Sequence, residues 1–398
     1  MDKTLLKGLK VLDLTRVLAG PYCTLQMADL GAEVVKIEKP ETGDDSRFYG
    51  PFTEGQSAYF LSLNRNKKSL TLDLKSNQGR EIFIDLVSKF DVVVENFRPG
   101  TMEKLGLGYE QLRNVNPRLV YAAISGFGAT GPDKDKPAYD IVIQGRGGIM
   151  SITGQEEGLP TRVGASISDI NSGLFAVIAV LSAYIEALKT GEGNKVDISM
   201  LDCQVAILEN AIARYVVGGE IPGPIGNRHP SITPFTTLKA SDQHIIVAAA
   251  NQKLWEKLCL AIERPELVED PRFKNNDLRT RNWVYLEPIL NEAFFHKTAN
   301  KWLSILEECG MPCGLVQDVP GLLDDEQILS RGVIKNIAVK PGSSQTIKVA
   351  GSPYHFSEPT AGHFVPAPTL GQDTEEILEK YAGLKAKTFR KLKKAGII

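Results

Sequence analysis

Short apolar runs alternate with amphipathic stretches through the first half of the chain. Residues 10–14, 33–37, 69–74, 91–95 and 119–124 read as strands, and 21–30 and 78–90 as helices. That rhythm predicts an α/β fold on a mostly parallel sheet. Pro21 suits a first helical turn and Gly31 the position just past a helix end, so the boundaries carry their own chemistry. A further apolar stretch, 170–188, reads as a helix. Its nearly uncharged part, 174–184, is too short to span a bilayer and reads as buried.

Around 218–234 the pattern stops in a run rich in Gly and Pro, read as a linker. Beyond it, strands at 235–238, 244–249 and 313–317 and helices at 254–261, 285–295 and 299–309 predict a second, smaller α/β domain. A hairpin over 339–349, turning at 341–344, and surface helices at 374–381 and 386–395 complete the chain.

With 398 residues, 42% of them hydrophobic and 24% charged, the chain can build a sizeable core. The formal net charge of −2, with both signs mixed, gives no general attraction to nucleic acid or to anionic membranes. Five cysteines without CxxC spacing point to free thiols in a reducing compartment. No metal site is expected at Cys309 and Cys313, which have no His or Cys partner nearby. The N-terminus shows no signal-peptide pattern, so a cytoplasmic location is expected.

Candidate chemistry centres on Asp169, set among small residues in 163–173. A carboxylate with room around it can attack a thioester. Asp at the start of a helix is also a good N-cap, and both readings stand on the residues alone. The segment 15–21 follows the first strand but lacks GxGxxG, which disfavours a nicotinamide or flavin enzyme. Lys39 ends the second strand, where doubly wound sheets often read a ribose or its phosphate, and a solvated surface lysine is the alternative. Basic residues in 64–75, with 96–100 and Lys104, form a candidate phosphate rim; Phe97 could stack on an adenine or fill the core.

Taken together, the segments 12–22, 29–38, 64–75, 95–100 and 105–109 closely resemble the family III CoA-transferases, the family of formyl-CoA transferase and carnitine CoA-transferase. The likeness continues through 126–132, 191–197, 226–229 and 368–372 and so spans the chain. It implies a Rossmann-like large domain from both chain ends, 1–220 plus 331–398, a small α/β domain at 226–325, and an interlocked homodimer. It also implies no tightly bound cofactor, an acyl-CoA and a carboxylic acid as substrates, and Asp169 as nucleophile, passing through an aspartyl anhydride and an aspartyl-CoA thioester. CoA-binding positions carry over to Arg16, Leu18, Ala19, Lys39, Leu72, Lys75, Asn96, Phe97, Lys104 and, near the thioester, Tyr139; Arg98 is added from its place in the basic segment.

Leu18 stands where formyl-CoA transferase has a glutamine, and 248–252 replaces its glycine-rich loop, which points away from an oxalate or formate site. Segments 43–47, 151–154 and 161–164 look closer to members handling dicarboxylates, with succinyl-CoA as donor. A second carboxylate needs a cation, and Arg16, Arg47, Arg162 and His229 are candidates. Two other readings stay open: an α-methylacyl-CoA racemase-like isomerase, disfavoured by Tyr139 where the racemase has its histidine, and a noncatalytic CoA-binding protein.

Overall fold

The structure, a computed structural model, describes residues 4–357 and 364–398. The chain separates into two compact units. The first comprises Met1–Ile149, Arg162–Ala213 and Ile328–Ile398, and the second Met150–Thr161 and Arg214–Gln327.

The first unit is built on six parallel strands: β1 (Lys10–Asp13), β2 (Glu33–Glu38), β3 (Lys67–Thr71), β4 (Val92–Glu95), β5 (Val120–Ser125) and β6 (Lys195–Ser199). Their order across the sheet is β3-β2-β1-β4-β5-β6, that of a doubly wound sheet. The central strands carry adjacent apolar residues, Val11 and Leu12, Val34 and Val35, Val92 and Val93, because both faces of the sheet are covered. Side chains alternate between faces, so Leu12, Val35, Leu70 and Val93 enter one core with Ile82, Phe83 and Leu86 of helix α2 (Asn77–Val87). Val11, Val34, Val92 and Val120 enter the other core. That second core is closed by α1 (Ala19–Asp29) and α3 (Ile167–Thr190). The helix Thr374–Ala382 covers β3, with Asp373 accepting the Ser69 N–H at 2.8 Å, so residues from both ends of the sequence share this unit.

At 24 residues α3 is long and apolar enough to cross a membrane by length and composition alone, a test that the core helix of a sheet-based domain also passes. Its small side, through Gly173, Ala176 and Val180, packs on α1 and the sheet, while Leu174, Ile178, Ile185 and Leu188 face outward.

The second unit holds a three-stranded antiparallel sheet, Cys313–Leu315 beside His244–Ala248 beside Phe235–Lys239. Helices Gln252–Ala261, Trp283–Phe295 and Ala299–Glu308 close over it around Trp255, Phe294 and Trp302. Back in the first unit, the C-terminal hairpin pairs Ile334–Ala338 with Thr346–Ala350. Its turn lies where the sequence places it, but the first strand starts earlier than 339, because Lys335 and Asn336 mask the alternation.

Candidate active site

Doubly wound sheets bind ligands at the carboxyl ends of the strands where the winding reverses. Here that point lies between β1 and β4, and the loops leaving both strands border one cavity of about 230 Å³. Arg16 to Ala19 come from the first loop and Asn96 to Pro99 from the second; Asp169, Tyr139 and Lys134 complete the wall. A second cavity of about 630 Å³ adjoins it, sharing Arg16, Asp45 and Phe97, and contains Lys39, Leu72 and Lys75. Together they give a polar pocket with a carboxylate next to a longer, largely apolar slot with two lysines at its walls.

Asp169 does not cap its helix. Helix α3 begins at Ile167 with Ser166 at the N-cap, placing Asp169 in the first turn. The carboxylate that serves the helix start is Asp140, 28 residues earlier, whose Oδ1 accepts the Ser168 N–H at 2.9 Å. Its Oδ2 accepts Gln144 Nε2 at 2.7 Å, and Gln144 Oε1 in turn accepts the Val163 N–H at 2.8 Å, so both flanks of the turn are tied down. Among the described residues no hydrogen bond or ion pair engages the Asp169 carboxylate. Burial, with Asp140 adding to it, pushes its carboxyl up to about 7. An unpaired, partly desolvated carboxylate is a stronger nucleophile than a solvated one.

Gly173, one turn along the same face, explains how the pocket closes. A Cβ there would lie 2.7 Å from the Ala19 carbonyl oxygen and 3.3 Å from the Cys23 nitrogen, so only glycine lets the start of α1 lie against the start of α3. The first bond of α1 is donated by Tyr22 to Leu18, and the N–H groups of Ala19 and Gly20 precede it, at the positive end of the helix.

Comparison with known proteins follows the same line. The family model for CoA-transferase family III matches residues 6–374. The chain belongs to this family. The human succinyl-CoA:glutarate CoA-transferase is 37% identical over 394 residues, covering 99% of this chain and 90% of the relative. The acetyl-CoA:oxalate CoA-transferase of Acetobacter aceti is 41% identical over 382 residues, 96% of each. A CAIB/BAIF family protein from Brucella suis superposes with a TM-score of 0.84 at 38% identity, over 95% of this chain and 99% of that one. The protein is thus a CoA-transferase, an enzyme that takes acyl-CoA and carboxylate substrates.

Of the positions that the resemblance proposes for CoA, Lys39, Leu72, Lys75, Arg16 and Phe97 border the larger cavity of this CoA-transferase. Leu18, Ala19, Asn96 and Tyr139 border the smaller one, as does Arg98, added from the basic segment. Lys104 borders neither and lies exposed at the end of the short helix Thr101–Lys104. Phe97 packs on the core, one of the two roles expected of it, and the Arg16 guanidinium lies 5.4 Å from its ring. The basic run at 64–68 is no phosphate rim. Arg65 is held by Asp29 at 2.5 Å, Lys67 is buried on Asp13 at 3.0 Å, and Lys68 pairs with Glu33 and Glu376.

The acid-site candidates also divide. Arg47 lines neither cavity: its fork grips both Glu38 oxygens at 2.7 Å and stacks on Phe60. Arg162 bonds its neighbour Gly164 at 3.1 Å and lies 3.8 Å from Asp140. His229 belongs to the second unit, where its Nδ1 accepts the Ser231 N–H. Arg16 is paired with Asp45 at 3.2 Å. Sequence reasoning missed Lys134, which lines the cavity with no carboxylate partner among the described residues, although the glycine-rich segment just before it was a signal. It also missed Tyr59, whose hydroxyl burial and Asp169 together push up to about 12, and Glu95, which burial raises to about 7 while Tyr121 and the Phe97 N–H donate to it.

A larger cleft, about 1140 Å³, lies within the second unit and is an open groove that contains none of these residues. The half-buried carboxylate at the winding reversal is the better candidate, because chemistry needs a partly desolvated group and the acidic and histidine side chains of that groove are all exposed.

Proposed function

We propose that this enzyme moves CoA from a short dicarboxylyl-CoA, succinyl-CoA in the first instance, to a second dicarboxylate through covalent intermediates on Asp169. The observation that carries the reading is a carboxylate with no internal partner, in the first turn of a helix, beside the pocket where the sheet's winding reverses. In the first step an Asp169 oxygen attacks the thioester carbonyl carbon, the C–S bond breaks and the CoA thiolate leaves. The thiolate then attacks the Asp169 carbonyl carbon of the anhydride, releasing the donor's acid and leaving an aspartyl-CoA thioester. The acceptor carboxylate displaces the thiolate again, and the thiolate returns to the acceptor's carbonyl carbon, freeing Asp169. Each step exchanges one activated acyl bond for another, and no net proton is taken up. On this reading the N–H groups at the start of α1, which borders the same pocket, stabilise the carbonyl oxygen as it gains charge.

The adenine and phosphates of CoA occupy the larger cavity, with Lys39 and Lys75 as point charges and Phe97 at the junction. Lys134 and Arg98, both without a carboxylate partner among the described residues, supply the cation that a distal carboxylate requires. The named relatives include an oxalate enzyme as well as glutarate enzymes, so chain length within the dicarboxylates is set by the volume between Asp169 and these cations, not by family membership. The Rossmann-like large domain with a small middle domain, and assembly of two copies, belong to the same reading. In support of assembly, Ile178, Ile185 and Leu188 of α3 are all more than half exposed, a density of apolar surface that a lone chain rarely keeps.

The test is transfer itself. Mixed with succinyl-CoA or acetyl-CoA and a panel of mono- and dicarboxylic acids, the enzyme yields new acyl-CoA species by mass spectrometry, fastest with dicarboxylates, and Asp169→Ala yields none while retaining CoA. Equal transfer by the variant would remove Asp169 from the chemistry.

A further inference from the structure

Val17, in the wall of the Asp169 cavity, has φ of 69°. Among the described residues it is the one β-branched side chain in the left-handed region; the other non-glycine cases are glutamates and one asparagine. A Cβ-branched residue is disfavoured there and stays only where its surroundings force it.

Three strands converge to do so. From β1, Asp13 accepts the Thr15 N–H at 2.9 Å. From β2, Lys36 donates to the Thr15 carbonyl at 2.7 Å. After β4, the Asn96 amide takes both backbone groups of Arg16, its Oδ1 accepting the N–H and its Nδ2 donating to the carbonyl, each at 2.8 Å. The Val17 N–H itself is donated to Asp44 Oδ1 at 3.0 Å. Asp44 is fully buried, its other oxygen 2.9 Å from the equally buried Lys36 ammonium, and its own N–H is held by Glu38 at 3.0 Å. Asp44 Oδ1 also accepts the Ser46 N–H and hydroxyl, each at 2.9 Å, so this costly buried charge pair ties the Val17 turn to the start of the short helix Asp45–Phe48. The residues that follow, Leu18 and Ala19, continue the wall of the Asp169 pocket.

We propose that Asp44, backed by Lys36, is a positioning residue for acyl transfer: through the Val17 amide it locks the left-handed turn that sets the Leu18–Ala19 backbone against Asp169. The proposal rests on Asp169 being the site of transfer. Asn96, by the same geometry, acts on the Arg16 backbone with its side chain.

If Asp44 serves to hold Val17 in a backbone state that valine resists, then glycine in place of that valine, which enters the state freely, makes Asp44 less necessary. The experiment is a double-variant cycle of Asp44→Asn with and without Val17→Gly, read as kcat/KM for transfer well below the lowest melting temperature of the set. With Val17 in place, D44N lowers kcat/KM by at least about tenfold, the scale of loss expected from a small misplacement of reacting groups. In the Val17→Gly background the same substitution costs less than about threefold, a non-additivity of the kind that coupled neighbours give. An equal loss in both backgrounds overturns the proposal. Should D44N fail to fold, Asn96→Ala, which leaves the buried pair intact, runs the same cycle with the same two outcomes. Amide exchange of the peptide containing Val17, measured alongside, is faster in D44N and recovers no protection in the double variant; unchanged exchange in D44N would also refute the clamp. Absence of transfer by the wild type would instead sink the Asp169 reading, and the exchange data would still decide whether Asp44 holds the turn.

Discussion

Replacing Asp169 by asparagine should stabilise the protein while abolishing its activity, and the gain should depend on pH in one direction. The folded protein holds the Asp169 carboxyl at about 7, against 3.8 for the free group, because burial and Asp140 disfavour its charge. Such a difference corresponds to about 4 kcal/mol at most, at about 1.4 kcal/mol per pH unit. Solvent reaching the cavity reduces this, so a gain of about 2–4 kcal/mol is expected. The sign follows from proton binding: between pH 3.8 and about 7 the folded form keeps a proton that the unfolded chain has lost, so this group's contribution falls as pH rises and is flat above. Asparagine does not titrate. The advantage of Asp169→Asn is therefore small near pH 4, grows to about pH 7, and stays constant beyond. Thermal melts of both proteins across that range follow it as a shift in the Tm of the transition that unfolds the first unit, which holds residue 169, since a chain of two units need not melt in one step. A variant no more stable than wild type at pH 8, or one whose advantage shrinks with rising pH, would refute the desolvated-carboxylate argument.

Other expectations follow from the same site. Since an ionised Asp169 is the attacking form, kcat/KM falls roughly tenfold per pH unit below about 7; Glu95, also near 7, is separated by Glu95→Gln, in which that limb persists. Gly173→Ala forces a Cβ to 2.7 Å from the Ala19 carbonyl, so α1 and α3 move apart. Steady-state assays should show a loss of about 10–100-fold in kcat/KM, against a stability cost of only about 1–3 kcal/mol by thermal melts. Lys134→Ala raises KM for a dicarboxylate acceptor about tenfold or more while leaving a monocarboxylate within about threefold, if its ammonium meets the distal carboxylate; equal effects on both acids would assign Lys134 elsewhere.

What could be read from the residues and what could not divides along locality. The parallel sheet was legible because β1, β2 and β4 each carry adjacent apolar residues that enter opposite cores, a pattern that needs cover on both faces, although Lys36 interrupts β2. Asp169 stood out because small neighbours surround it, yet its helix role was misjudged, since the residue that serves the helix start, Asp140, is distant in sequence. The basic run at 64–68 misled for the same reason: Arg65 and Lys67 find Asp29 and Asp13, from elements far earlier in the chain, and charge alone gives no sign of that burial. Arg47 likewise looked free until Glu38, at the end of β2, was seen to hold it. Lys134 went unnoticed because the glycine-rich segment before it marks only a loop, and which residue of that loop enters the cavity wall is settled by the fold.

The central claim is that Asp169 becomes the acyl and then the CoA carrier. Enzyme mixed with succinyl-CoA and no acceptor, quenched in acid and digested, should yield the peptide containing Asp169 with the mass of one CoA joined through a thioester, and Asp169→Asn should yield none. Transfer of CoA by wild type with no such adduct under any quench, or an adduct that persists in Asp169→Asn, would contradict it.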